Sequence, residues 1–146
     1  MSLQLALLKE PNRALLVADC EALVRSEVAN KSGLSGIAVK GAFGVVNRIR
    51  PTLVNEAVNV LLNDFVLELE PFFSQYQQSS QGDFSQYLNE RSTTVALALL
   101  QAADHRVEQA DNAGIQKAYR KLRPVGQKHV ESAVPGIAAI LEKYLS

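Results

Sequence analysis

The stretch from Thr52 to about Gln77 constrains this chain more than any other part of it. Leu53, Val54, Ala57, Val58, Val60, Leu61, Leu62, Phe65, Val66, Leu67 and Leu69 make it heavily apolar. Its β-branched residues suit a strand, but its length does not, since strands usually run roughly 3–10 residues. Polar Asn55, Glu56, Asn59, Asn63 and Asp64 recur near helical spacing, so one long helix is expected. Apolar positions cover more than half its circumference, so it sits centrally or contacts a second subunit. Pro71 is expected to kink it.

Its neighbours read the same way. Leu16, Cys20, Leu23 and Val24 share one face of a helix from Asn12 to Asn30, with Pro11 suited to its first position. Lys31-Ser32-Gly33 stops it. Gly33 can adopt the left-handed conformation past a helix end, with Leu34 folding back as the cap's apolar contact. Ser35 can cap a second helix, running to about Arg50 and ended by Pro51. So short a turn predicts an αα-corner or hairpin. The second helix is rich in small residues: Gly36, Ala38, Gly41, Ala42 and Gly44. A glycine inside a helix costs up to about 1 kcal/mol relative to alanine, so a closely approaching backbone or ligand is expected to compensate. Gly33, Gly36, Gly41 and Gly44 are therefore the expected close-packing positions.

Gln77 to Gly82 reads as a flexible loop. Asp83 with Gln86 has the spacing of a capping pair, starting a helix at Phe84 that runs to about Ala110. Its Val95–Leu100 segment is apolar all round and expected to be deeply buried. The last section begins near Asp111, with breaks expected at Pro124 and Pro135 before an amphipathic helix from Pro135 to Leu145. Together these elements predict an all-α, single-domain bundle of about five to seven helices over residues 1–146.

Such a chain buries enough apolar surface to fold without disulfides or a structural metal. Its one cysteine, Cys20, excludes an internal disulfide and any multi-thiolate zinc site, and its helix-face spacing predicts a core residue. The first 30 residues lack a long apolar core with a cleavage site, so no signal peptide is expected. The longest apolar run, Val95–Leu100, falls far short of the roughly 20 residues of a membrane span. A cytoplasmic location is the default, and integral membrane insertion is not expected. Charge is uneven within a zero total: residues 1–50 carry seven basic against four acidic groups, residues 51–111 two against nine, and residues 112–146 six against two. Acidic and basic helices lying side by side explain that pattern more simply than nucleic-acid binding, which a zero total does not favour.

Motifs for catalysis are missing. There is no phosphate-binding loop, dinucleotide fingerprint, His-Glu-x-x-His or Gly-x-Ser-x-Gly, and no catalytic residue or cofactor is assigned. Asp64 with Glu68, and His105 with Glu108, each share a helix face, but neither is a complete metal set, so no metal is assigned. Lys117, Arg120, Lys121, Arg123 and Lys128, with Tyr119 among them, resemble a phosphate-contacting helix but fit better as an exposed face answering the acidic middle. Six aromatic residues flank the loop: Phe65, Phe72, Phe73, Tyr76, Phe84 and Tyr87. They close one end of the core, or they line an apolar pocket gated by residues 77–82, with Arg91 anchoring an acidic ligand head.

Val17-Ala18-Asp19-Cys20, Ser26-Glu27-Val28, Lys31-Ser32-Gly33-Leu34-Ser35-Gly36 and Ala38-Val39-Lys40 together resemble a family of small bacterial proteins of unknown function. Asp64-Phe65-Val66 and Glu70-Pro71-Phe72 are similar to it as well. The resemblance spans most of the chain and is sharpest around Gly33. It implies an all-helical fold and carries over no catalytic residue. The expected function is a non-enzymatic helical interaction or scaffold module that self-associates. The alternative is a binder of a lipid-like or other apolar small molecule at Phe72, Phe73, Tyr76, Phe84, Tyr87 and Arg91.

Overall fold

A computed structural model describes residues 2–31, 33–79 and 82–145. These form seven helices, α1 (Leu3–Leu7), α2 (Asn12–Ala29), α3 (Gly33–Ile49), α4 (Leu53–Ser79), α5 (Phe84–Asn89), α6 (Ser92–Glu108) and α7 (Ala113–Leu145). Each of the five shorter helices packs against both long ones, α4 and α7. The shorter helices thus fill the space that α4 and α7 frame.

The first helix carries no periodic signal in five residues, and packing makes it. Leu3 and Leu7, one turn apart, are both fully buried. Burying each leucine is worth about 1.5–3 kcal/mol, which offsets a large part of the cost of ordering so short a segment. Its unpaired first-turn amides find partners: Ser2 Oγ accepts from Leu5 N–H, and Glu70 Oε1 of α4 accepts from Gln4 N–H at 2.9 Å.

From α2, Arg13 donates to Asn59 Oδ1 at 2.9 Å and to the Asn59 carbonyl at 3.0 Å, bolting it to α4. Glu21, about two turns further along α2, accepts from Asn55 on the same seam. Gly33 has φ +76°, the left-handed conformation expected of it, but it lies four residues beyond the end of α2 and opens α3. Ser32, and the side chains of Leu34 and Ser35 on which the rest of that cap depends, lie outside the described residues. Pro51 separates α3 from α4 as expected, and α4 runs through Pro71 to Ser79. The expected loop is therefore shorter at its start. Gln77–Ser79 are helical, Ser80 and Gln81 lie outside the described residues, and Gly82 has φ +92°.

Two boundaries differ from expectation. The expected helix from Phe84 to Ala110 is two helices, because the backbone at Arg91 leaves the helical conformation (φ −122°, ψ 30°). Arg91 folds its guanidinium back to donate to the Tyr87 carbonyl at 3.1 Å, satisfying the end of α5 without glycine or proline. Conversely, α7 is unbroken through Pro124 and Pro135, where breaks were expected. Both prolines lie on the exposed side, where the missing hydrogen bond opens to water. Val134, Ala138 and Leu141 stay buried opposite and hold the helix to the core.

The core joins Leu16 and Val17 of α2, Leu62, Val66 and Leu69 of α4, Phe84 and Leu88 of α5, Val95 and Leu99 of α6, and the buried face of α7. No polar or charged residue among those described is fully buried. The close approach to a helical glycine occurs in α7 and is made by a side chain. A Cβ on Gly136 would stand 2.6 Å from Leu23 Cδ1 of α2. Of the four glycines expected to allow it, only Gly36 is crowded, and by the carbonyl carbon of Lys31, 2.8 Å from where a Cβ would stand. Beside Gly33, Gly41 and Gly44 there is open space. The glycines of α3 do not seat it on α4.

Candidate functional site

The open glycines lie on or beside the outward face of α3. Ile37, Gly41, Val45 and Ile49 follow one another at four-residue intervals, so their side chains form a single stripe along the helix. The stripe faces water: Ile37 is 70% exposed, Val45 50% and Ile49 73%. Scattered exposed apolar residues are ordinary, but three large ones on one helix face are a patch. The opposite face holds α3 in place. Gly36 is buried, Val39, Phe43 and Val46 are half-buried, and the Arg25 guanidinium of α2 lies 5.7 Å over the Phe43 ring. The only charges on α3 are Lys40 and Arg48, both exposed and neither ion-paired among the described residues.

Where α3 ends, a groove of about 400 Å³ begins. Leu53, Ala57, Val60 and Leu61 of α4 form one wall, with Val107 of α6 and Ile115 of α7 opposite. Its rims are charged but internally paired. Arg50 meets Glu56 at 2.9 Å, and Arg106 is held by Asp64 of α4 through both carboxylate oxygens. That contact keeps the Asp64 carboxyl below its ordinary range, chiefly through the hydrogen bond from Arg106. Asp64 is thus committed to an arginine rather than to Glu68 and a metal.

A second cleft of about 250 Å³ lies between α6 and the start of α7. Asp104 accepts there from Arg123 Nε at 2.8 Å and from the Tyr119 hydroxyl. The Arg123 hydrogen bond is the main reason the Asp104 carboxyl stays ionised below its usual range, while burial pushes the Tyr119 hydroxyl up. Of the five basic residues of that stretch only Arg123 is engaged with α6, beside Tyr119, and Lys117, Arg120, Lys121 and Lys128 are exposed. Arg123–Asp104 is one pair of the kind the charge pattern suggested between the acidic middle and the basic end. Among the described residues no three His, Cys, Asp or Glu side chains gather to hold a metal ion. His105 Nε2 lies 3.3 Å from the Gln109 amide, one turn along α6.

The aromatic residues do assemble. Phe73, Tyr76, Phe84 and Tyr87 form a continuous set of ring contacts with centroids 5.1–6.4 Å apart. Phe72 packs half-buried against the same core. The Tyr76 hydroxyl donates to the Gly82 carbonyl at 2.8 Å, and the Tyr87 hydroxyl donates to Gln75 at 3.1 Å. The Arg91 guanidinium carbon lies 3.7 Å from the centre of the Tyr87 ring, with Glu90 3.6 Å away. The rings fill the space between them, and the arginine's guanidinium is engaged. Cys20 is half-buried against the edge of the core it was expected to join, and burial pushes its thiol up to about 11.

Ile37, Val45 and Ile49 escaped the sequence reading, which weighed the glycines of α3 and not the residues between them. Their spacing with Gly41 was visible. Which side of an all-round apolar helix faces water was not.

Residues 3–145 match a family described as Family of unknown function (DUF6918). No curated protein and no solved structure matches.

Proposed function

The chain belongs to that family, whose description carries no activity, and from its own surface we propose that it is a non-enzymatic helical interaction module that self-associates. One observation carries the reading: the outward stripe of α3, with Ile37, Val45 and Ile49 half or more exposed on a helix whose other face meets α2, α4 and α7. Keeping such a stripe in water forfeits the apolar burial that a second copy would supply, at about 25 cal/mol per Å². Gly41 and Gly44 leave that face flat enough for another backbone to approach. No helix among those described is long and apolar enough to cross a membrane.

A pocket for an apolar small molecule between Phe72, Phe73, Tyr76, Phe84, Tyr87 and Arg91 has less support, because those rings already occupy one another's space. A bacterial source and a cytoplasmic site of action complete the proposal. The family resemblance around Lys31–Gly36 and the single cysteine, which suits a reducing compartment, support them.

Size-exclusion chromatography with light scattering over a dilution series tests self-association. A mass above the 15.9 kDa of one chain that falls on dilution is the expected result. A constant single-chain mass at every concentration refutes it.

A further inference from the structure

We propose that the outward ridge of α7 docks on the phosphate backbone of duplex nucleic acid, without reading its sequence. From Asn112 to Val130 the chain carries five basic residues and no acidic one. Arg123 is engaged inside the molecule, on Asp104 of α6. Lys117, Arg120, Lys121 and Lys128 stay exposed, and none of them has an ion pair among the described residues.

Helix geometry lines three of them up. Lys117, Lys121 and Lys128 fall within roughly 40° of one another about the helix axis and spread over about 17 Å along it. Arg120 stands to one side, in the cleft that Glu108 also lines. The three lysines are therefore the contacts that the ridge offers. The zero total charge of the chain does not cancel them, because screening at about 0.1 M salt cuts off exposed charges beyond roughly 10 Å. Glu56, Asp64 and Asp104, among the acids that balance that total, are themselves held by Arg50, Arg106 and Arg123. What a partner meets at this face is local charge.

The surroundings of the lysines select the occupant. A duplex carries one charge per about 1.7 Å of its axis, so roughly ten phosphates pass within the length of the ridge. Lysine suits them, as a mobile point charge with no fixed fork to match. Single strands are gripped by stacking of bases on aromatic side chains. No aromatic side chain of α7 is exposed, since Tyr119 is turned to Asp104 and Tyr144 to Asp19. A membrane surface asks for large apolar side chains beside the basic ones, and none on α7 is exposed. The face lies on a different helix from the α3 stripe, so the proposal stands or falls apart from self-association.

Fluorescence anisotropy of the full chain with a labelled duplex of about 20 base pairs, two helical turns, tests it. Binding is expected at low salt, with equal affinity for unrelated duplex sequences. Between about 50 and 200 mM salt the affinity should fall roughly 40-fold, the dependence set by three phosphate contacts. Lys121→Gln should make the logarithmic salt slope shallower by about 0.9. Lys117→Gln, Lys121→Gln and Lys128→Gln together should abolish binding with the circular dichroism spectrum unchanged. The exposed cations of α3, replaced in a Lys40→Gln, Arg48→Gln double variant, should leave it intact. An equal loss in that α3 variant overturns the proposal, because the attraction then belongs to the surface at large. No binding at low salt overturns it as well, and so does a preference for a single strand, or for vesicles containing phosphatidylserine, over the duplex.

Discussion

Phe84 shows how much one side chain carries. It is 1% exposed, meets Phe73 edge-on at 5.1 Å and lies just inside a helix whose Asp83 cap accepts from Gln86 N–H at 2.8 Å. Truncation to alanine removes ring contacts from three neighbours and leaves a cavity. Phe84→Ala should cost about 3–5 kcal/mol in urea denaturation. If that region were instead a hollow ligand pocket, the loss would be far smaller. At the surface, Asp19, Asp64 and Asp104 each answer a cation from another helix, Lys143, Arg106 and Arg123. All three carboxyls are held below their ordinary range, led in each case by the hydrogen bond from that cation. A carboxyl with a lowered pKa in the folded state stabilises fully above its unfolded value and loses that contribution as pH falls through the folded one. Stability should therefore decline below about pH 4, and the urea midpoint of Asp104→Asn should depend less on pH there than that of the wild type.

At the scale of elements, the sequence spoke where a local rule decided the outcome. The length and polar spacing of α4, the Asp83–Gln86 cap and the left-handed Gly33 all depend on residues close in the chain. It was silent or misleading where a distant contact decided. Only burial of Leu3 and Leu7 makes α1, the α5–α6 break rests on an arginine folding back, and α7 passes two prolines because its inner face is held. The glycines divide along the same line. At Gly33 the backbone requires φ +76°, so Gly33→Ala should destabilise by about 1 kcal/mol. At Gly41 and Gly44 a Cβ meets nothing within 4 Å, so alanine there should stabilise the single chain by up to about 1 kcal/mol each. Thermal unfolding at low protein concentration checks both signs. Destabilisation by Gly41→Ala would restore the tight intramolecular packing that the structure lacks.

The whole molecule is a bundle with a finished core and an unfinished side. Asp64 of α4 and Asp104 of α6 are tied to arginines within the chain, the aromatic end is closed, and three of the large apolar side chains left exposed share one face of α3, while Leu5, Leu15, Leu67 and Leu97 are exposed on other helices. A charge placed on that stripe should separate association from folding. Val45→Glu is expected to abolish the larger species in light scattering while shifting single-chain stability by no more than about 0.5 kcal/mol, as befits a half-exposed site. The candidate site was only half legible in sequence. The flat glycines marked the helix, but its water-facing side depends on how α2, α4 and α7 pack behind it. Hydrogen exchange of the α3 amides at low and high protein concentration measures most directly whether a second copy covers that side. Exchange across residues 37–49 should slow markedly as concentration rises, with Val45→Glu removing the effect. Identical exchange at both concentrations would mean that α3 faces solvent at all times, and the account would be wrong.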